Sequence, residues 1–456
     1  MLSPFKNKDF TRLFSAQVIA LLGTGLTTVA LSLLAYQLAG DDAGKVLGTA
    51  LAIKMIAYVM LAPIAASVAQ FVQRRVFLIA LDILRAIFVL CLPFVTQVWQ
   101  IYLLIFLLQA CSAGFTPVFQ ATIPDILEDE NDYTQALSLS RLAYDIESLL
   151  SPALAGLALL LMSFNGLFIG NTIAFLISAL LVSATYLPEV KPASDDKGWF
   201  DRTTFGLRAY LATPRLRGLL TMSMAVAAAG SMVIVNTVVY VRSFLELSDE
   251  WTALLLAAFG SGSMVAALFL PKLLQRLNDK PVALSAGFIM GLSLAIGIKL
   301  PGFLIMAGLW FLIGVGFSSI LVISGRLLQR SAAQEDRPAY FAAQFALSHA
   351  CWLITYPLAG WLSSTYDIEV AFSVLFGLVM FSTLLAYFLW PENDKTYMEH
   401  VHSKTSHLHL HTHDEHHQHA HEGWEGPEPH SHPHSHSEIK HTHEFVIDRH
   451  HQKWPS

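Results

Sequence analysis

Twelve stretches of roughly twenty mostly apolar residues recur along the first 390 positions of this chain. Six run from Leu13 to Leu38, Val46 to Ala69, Val76 to Val95, Ile101 to Phe119, Ala136 to Met162 and Leu167 to Leu187. Six more run from Leu219 to Tyr240, Trp251 to Leu270, Val282 to Ile298, Phe303 to Ile323, Phe341 to Trp361 and Val370 to Trp390. A helix rises about 1.5 Å per residue, so about 20 apolar residues cross the hydrocarbon layer of a bilayer. Inside that layer each backbone N–H and C=O must find a partner within its own segment, which makes every stretch a helix. A water-soluble alternative fails on composition: 54% of the residues are hydrophobic, 14% are charged, and the mean hydropathy is +0.52, too little polar surface to face water. The sequence therefore reads as an integral membrane protein in two six-span halves, residues 1–188 and 219–390, followed by a tail at 391–456. The segment between the halves, 189–218, is too polar to span and long enough for a helix lying along the membrane surface.

Lysine and arginine gather in loops that stay in the cytoplasm. Lys6, Lys8 and Arg12 precede the first span, Arg74 and Arg75 follow the second, and Lys191 to Arg217 occupy the central segment. Lys272, Arg276 and Lys280 follow the eighth span, and Arg326, Arg330 and Arg337 follow the tenth. All fall on one side, and an even span count puts both termini there, in the cytoplasm. One loop on that side dissents: "PDILEDENDY" is acidic. The N-terminal apolar run continues past Leu38 without a short cleavable core, so it reads as a retained first span. Cys91, Cys111 and Cys351 are scattered through apolar stretches with no paired spacing, and read as small core residues.

An ionisable side chain within a span costs about 2.5–3.5 kcal/mol on insertion scales, so each needs a partner, a wet cavity or a function. Asp82 and Arg85, three apart on one helix face, are expected to pair structurally. Arg141 and Asp145, four apart, can neutralise each other, leaving Glu147 deeper and turned about 200° from Asp145 around the helix. Glu147 and Asp145 are candidates for a proton or cation site in the transport path; an interhelical salt bridge, with Lys54 as the partner of Glu147, is the other possibility. His349 is either a transient metal ligand or a hydrogen-bonded packing residue, with Tyr356 seven residues on sharing its face.

Beyond Pro391 the composition changes to His, Ser, Thr, Glu, Asp and Pro, and 18 of the 19 histidines lie between His400 and His451. Such a segment buries too little apolar surface to offset its ordering entropy and is expected to be disordered. Histidines alternate with other residues at His407, His409, His411 and His413, again at His417, His419 and His421, and again at His430, His432, His434 and His436. With His416, His441 and His443 these are the expected metal ligands. Neutral imidazole binds transition metals, its pKa near 6.5 leaves most rings unprotonated in cytoplasm, and the absence of thiols disfavours Cu(I) and cadmium. Ni(II), Co(II), Zn(II) and Cu(II) all suit this donor set, and no obligatory cofactor is expected.

Two six-helix halves joined by a cytoplasmic segment resemble the major facilitator superfamily. "GFTPVFQATIPDILEDENDYTQALSLSRLAYDIESLLSPALAG" and "TFGLRAYLATPRLRGLL" resemble its macrolide-efflux and enterobactin-efflux branch, and with the histidine tail the chain is similar to the nickel-resistance exporters of that branch. The resemblance implies an all-α membrane protein with the major facilitator fold, twelve transmembrane helices in two halves rocking around a midplane site. It further implies a monomer in the bacterial inner (plasma) membrane, in contact with lipid, divalent metal ions and protons as coupling ion, with no nucleic-acid partner. The superfamily's signature after the second span is altered: in "ASVAQFVQRR" Gln70 stands where an acid is expected and Gln73 where a glycine is, while Arg74, Arg75, Asp82 and Arg85 are kept as gating or structural candidates. "SLLSPALAG" resembles the antiporter signature, with Ser151 before Pro152. The implied activity is proton-driven export of a divalent metal, nickel first, then cobalt or zinc, conferring metal resistance. Two alternatives stand: a drug or siderophore exporter with a metal-sensing tail, and a membrane-anchored metal store or sensor. No nucleotide-binding loop, nucleophile triad or HExxH pattern points to an enzyme.

Overall fold

The computed structural model describes residues 3–39, 43–187 and 198–392, together with the backbone of four short segments and Val446 in the tail; the side chains of 43–45, 148–149, 152–153, 249–250 and 393–445 lie outside the description. Six helices form the first half: α1 (Lys8–Ala39), α2 (Ala43–Ala69), α3 (Arg74–Cys91), α4 (Val98–Ile126), α5 (Glu130–Leu159) and α6 (Phe164–Ser183). The amphipathic segment is α7 (Trp199–Ala212). The second half comprises α8 (Pro214–Val239), α9 (Asp249–Leu274), α10 (Asp279–Gly297), α11 (Phe303–Ser331), α12 (Arg337–Thr365) and α13 (Ile368–Leu389). Most of these helices overrun the apolar stretches by a turn or two, since hydropathy marks the oily layer while helices continue into the headgroup zone. Local signals set several starts: Asp129 accepts the backbone N–H of Asp132 at 2.9 Å to cap α5, Gln97 and Gln100 form a capping box on α4, and Pro214 opens α8.

The two halves repeat one packing pattern. In the first, α1 packs on α6 and α5, α2 on α4, and α3 on α4 and α6; in the second, α8 packs on α13 and α12, α9 on α11, and α10 on α11 and α13. The contacts between halves obey the same correspondence: α2 meets α12 as α9 meets α5, and α4 meets α12 as α11 meets α5. This is the signature of a pseudo-two-fold axis through the bundle. Small residues allow the close approach. Ala62, Ala66 and Ala113 cluster with Ala342 and Ala346 across the halves, and a Cβ on Gly262 or Gly314 would run into the backbone of the facing helix.

Ten of the described helices are long and apolar enough to cross a membrane. The other two helices of the packed bundle, α5 and α12, have 30 and 29 residues and are long enough but more polar. They are each other's symmetry mates, and their polar residues face the junction between the halves instead of lipid. Sequence and structure therefore agree on a twelve-helix multi-pass membrane protein.

The tail differs from the expected disorder over four segments. β1 (Tyr397–His402) pairs antiparallel with β4 (Ile439–Glu444), and β2 (Thr405–His411) with β3 (His430–His436). Both antiparallel ladders share one register offset. The period-two alternation is a strand pattern, and ladder hydrogen bonds satisfy the backbone without an apolar core. His407 stands opposite His434, His409 opposite His432, His411 opposite His430, and His400 opposite His441; His443 faces Met398 and His436 faces Thr405. His413, His416, His417, His419 and His421 lie outside the described residues.

Candidate transport site and gate

A cavity of about 430 Å³ sits between the halves. Its wall is built by α2, α4 and α5 from one half and by α8, α11 and α12 from the other. Two cations, Lys54 and Arg141, line it, with His349, the polar groups of Gln120, Ser140, Tyr144, Gln344 and Ser348, and the aromatic faces of Tyr58, Phe317, Phe345 and Trp352. No carboxylate is among the lining residues.

Arg141 is bound to Asp145 one turn along α5, as their spacing predicts, and its Nε donates to Ser263 Oγ of α9 at 3.0 Å. Its guanidinium also lies 5.1 Å from the ring centre of Phe317 on α11, so one side chain touches both halves. Glu147 turns elsewhere, as the helical rotation requires: it accepts the Ser151 hydroxyl at 3.0 Å and lies against Gly25 of α1. Lys54 makes no ion pair within 4.0 Å among the described residues, but it and Glu147 feel each other's charge across the gap, and its ammonium sits 5.6 Å from the Tyr58 ring centre. Sequence spacing along α5 located the Arg141 pair because it is local, and could not locate a contact with α2. Pro152 falls within α5, its side chain outside the description.

His349 is held by its own helix. Its Nδ1 lies 2.7 Å from the carbonyl of Phe345; a carbonyl only accepts, so Nδ1 carries the proton and the neutral ring keeps its lone pair on Nε2. Tyr58 packs edge-on against the ring at 4.8 Å and Phe345 at 4.2 Å, and Tyr58 is itself fixed by a 2.7 Å bond to Gln109. A ring oriented through one nitrogen with the other available is the pose of a metal ligand. Tyr356, grouped with His349 by helical spacing, stacks on Trp352 and is not part of the cavity wall. The pair Asp82–Arg85 is buried within the first half: Ser178 donates to Asp82 at 2.8 Å, and the guanidinium lies 3.9 Å from Phe115 and 4.6 Å from Phe175.

The end of the bundle that carries α7 is bolted by ion pairs between the halves. Asp125 at the end of α4 accepts from both Arg74 and Arg337, and Arg74 reaches the Gln334 carbonyl at 3.1 Å. Glu130 pairs with Arg326 at 2.8 Å and with Arg330, and these same arginines hold Asp279 at 3.0 and 2.7 Å. Tyr133 donates to the Gly325 carbonyl at 3.2 Å. The acidic loop that broke the charge tally supplies these carboxylates. At its symmetry mate, the α11–α12 junction, the flanking helix ends carry Arg326, Arg330 and Arg337, and those opposite charges were the signal available in the sequence. Asp125 and Glu130 thus provide the acids that Gln70 lacks. Arg75 is exposed beside this cluster.

Two symmetric helical halves around a cavity, with one end closed by ion pairs across the halves, are the build of a secondary carrier. The chain belongs to the Major Facilitator Superfamily, whose family model matches residues 13–280 and 220–412. It is 23% identical over 386 residues, 81% of this chain and 90% of the relative, to an uncharacterised MFS-type transporter, YfiS, of Bacillus subtilis (strain 168). The human organic anion transporter MFSD10 (TETRAN) shares the fold with a TM-score of 0.72 at 12% identity, over 83% of this chain and 98% of that one. A bacterial homologue of the iron transporter ferroportin, in its outward-facing state, does so with a TM-score of 0.69 at 14% identity and the same coverage. This protein is a membrane transporter of that superfamily.

Proposed function

We propose that this carrier exports a divalent transition metal from the bacterial cytoplasm, nickel first and cobalt or zinc next, in exchange for protons, and so confers metal resistance. The observation that carries the reading is the tail: 18 histidines and no cysteine between His400 and His451, attached directly to a carrier. The strand register supports it, because histidines at three alternate facing positions of β2 and β3 lie at Cα spacings of about 4.5–5.5 Å in an antiparallel ladder. A two-stranded ribbon alone is marginal in water, and metal bridging its strands would stabilise it. Tethered at the cytoplasmic mouth, the tail raises local metal occupancy. The ion-paired α7 end then corresponds to a closed cytoplasmic gate, with the halves rocking to expose the cavity alternately. Proton entry drives release, since a protonated imidazole or carboxylate loses its hold on a cation.

A second reading is favoured by one observation. The cavity wall presents Lys54 and Arg141 and no carboxylate, which suits an organic anion, the tail then serving as a metal sensor. Radiometal flux into inverted membrane vesicles under an imposed pH gradient decides between them. Nickel, cobalt or zinc accumulation that collapses with the gradient is the expected result; an absence of flux for all three metals, each supplied both as the free ion and with a chelating carboxylate, overturns the metal reading.

A further inference from the structure

The cavity is an unsuitable berth for a bare dication. Its volume of about 430 Å³ lies within the roughly 300–1,000 Å³ of small-molecule sites, whereas an ion with six waters of about 30 Å³ each fills less than half of it. Its wall presents cations and no anion: Lys54 and Arg141 line it, while Asp145, paired with Arg141, and Glu147, coupled to Lys54 at longer range, are not among the lining residues. Its donor set is also too small. His349 Nε2 offers one strong bond, while a divalent nickel or cobalt ion wants four to six donors in fixed geometry. What the wall does provide is two cations, one oriented imidazole, and aromatic surface from Tyr58, Phe317 and Trp352.

We propose, building on the metal-export reading, that the cargo occupying this cavity is the metal already complexed by a small polycarboxylate. The carboxylates of the complex pair with Lys54 and Arg141, and His349 Nε2 takes one coordination position on the metal. The metal brings its remaining donors with it, and a net negative or neutral complex meets the cationic wall favourably. Arg141 couples this cargo to the rocking motion, because it already reaches Ser263 and Phe317 in the other half. The tail and the cavity thereby hold different species: the tail collects ions, and the cavity carries the chelate.

The test uses the full-length protein in proteoliposomes under a pH gradient, with radioactive nickel and carbon-labelled citrate as probes. The expected result is that both labels cross together at about one citrate per nickel, and that nickel flux falls at least about tenfold when citrate is replaced by a non-coordinating buffer. Lys54→Gln should raise the KM for nickel citrate about tenfold, Lys54→Arg should restore it, and His349→Gln should reduce nickel movement while leaving the thermal melting of the protein in detergent unchanged. Equal nickel flux without citrate, with no carbon label crossing, overturns this inference and leaves metal export standing. Nickel crossing with free histidine but not with citrate overturns the carboxylate assignment. Citrate crossing alone, with no metal under any condition, overturns both this inference and the function on which it rests.

Discussion

In the tail, eighteen histidines stand between His400 and His451 with eight acidic residues among them, whereas the cavity between the halves offers one imidazole beside Lys54 and Arg141. The first arrangement supplies many equivalent donors, which in the proposed reading gather ions without depending on any one ring. The second is a few groups fixed in place, each touching a neighbour that sets its orientation. A carrier needs this difference, because a site that bound metal as avidly as the tail would hold its cargo through the conformational change. In the proposed reading, gathering and moving fall to separate regions of one chain, and the two can be disturbed independently.

Arg141→Ala should have the largest effect. It removes a cavity cation and strands the buried Asp145, a loss of the order of 3–5 kcal/mol for breaking such a pair, so flux should fall at least about a hundredfold. Equilibrium dialysis should still count the wild-type amount of nickel per protein; a fall in that number would merge the two regions. Removal of residues 400–456 should do the reverse: the metal concentration for half-maximal flux rises about tenfold while the maximal rate stays within about twofold. Acidification sharpens the same contrast. Imidazole binds metal only when neutral, so nickel held by the tail should be lost as pH falls through about 6.5, and calorimetry of the full-length protein against the tail-deleted one isolates that component.

A smaller effect is expected at the gate. Asp125→Asn weakens the hold on Arg74 and Arg337, and a cysteine placed on the cavity wall by Ser324→Cys, in a background without native cysteines, should label about fivefold faster from the α7 side, about 1 kcal/mol of the closed-to-open balance. Metal binding by the tail should not change. The smallest effect is Ser406→Pro, a proline placed within the β2 strand. Nickel affinity of the tail should weaken about twofold to threefold, on the order of 0.5–1 kcal/mol, with stoichiometry and maximal flux unaltered.

Much of this architecture was legible along the chain. The twelve helices, the surface helix α7, the pairs Asp82–Arg85 and Arg141–Asp145 and the divergence of Glu147 all follow from hydropathy and from 3.6 residues per turn, which are local properties. The gate was only half legible. "PDILEDENDY" and the arginines after the tenth span were visible as opposite charges, but nothing in their spacing said that they meet. The strand pairing of the tail is hidden in the sequence because a composition that cannot build a core says nothing about backbone ladders, and alternating histidines suit ligand spacing and strand periodicity equally.

What the sequence alone determined is the number of helices, the membrane as their solvent, and the imidazole chemistry of the tail, because each depends on residues within a few positions of one another. What only tertiary structure decided is that Lys54 from α2, Arg141 from α5 and His349 from α12 share one cavity while Glu147 and Tyr356 stand outside its wall. That outcome depends on how two symmetric halves rotate their faces toward a common axis, and side chains nearly 300 positions apart become neighbours only once that packing is complete.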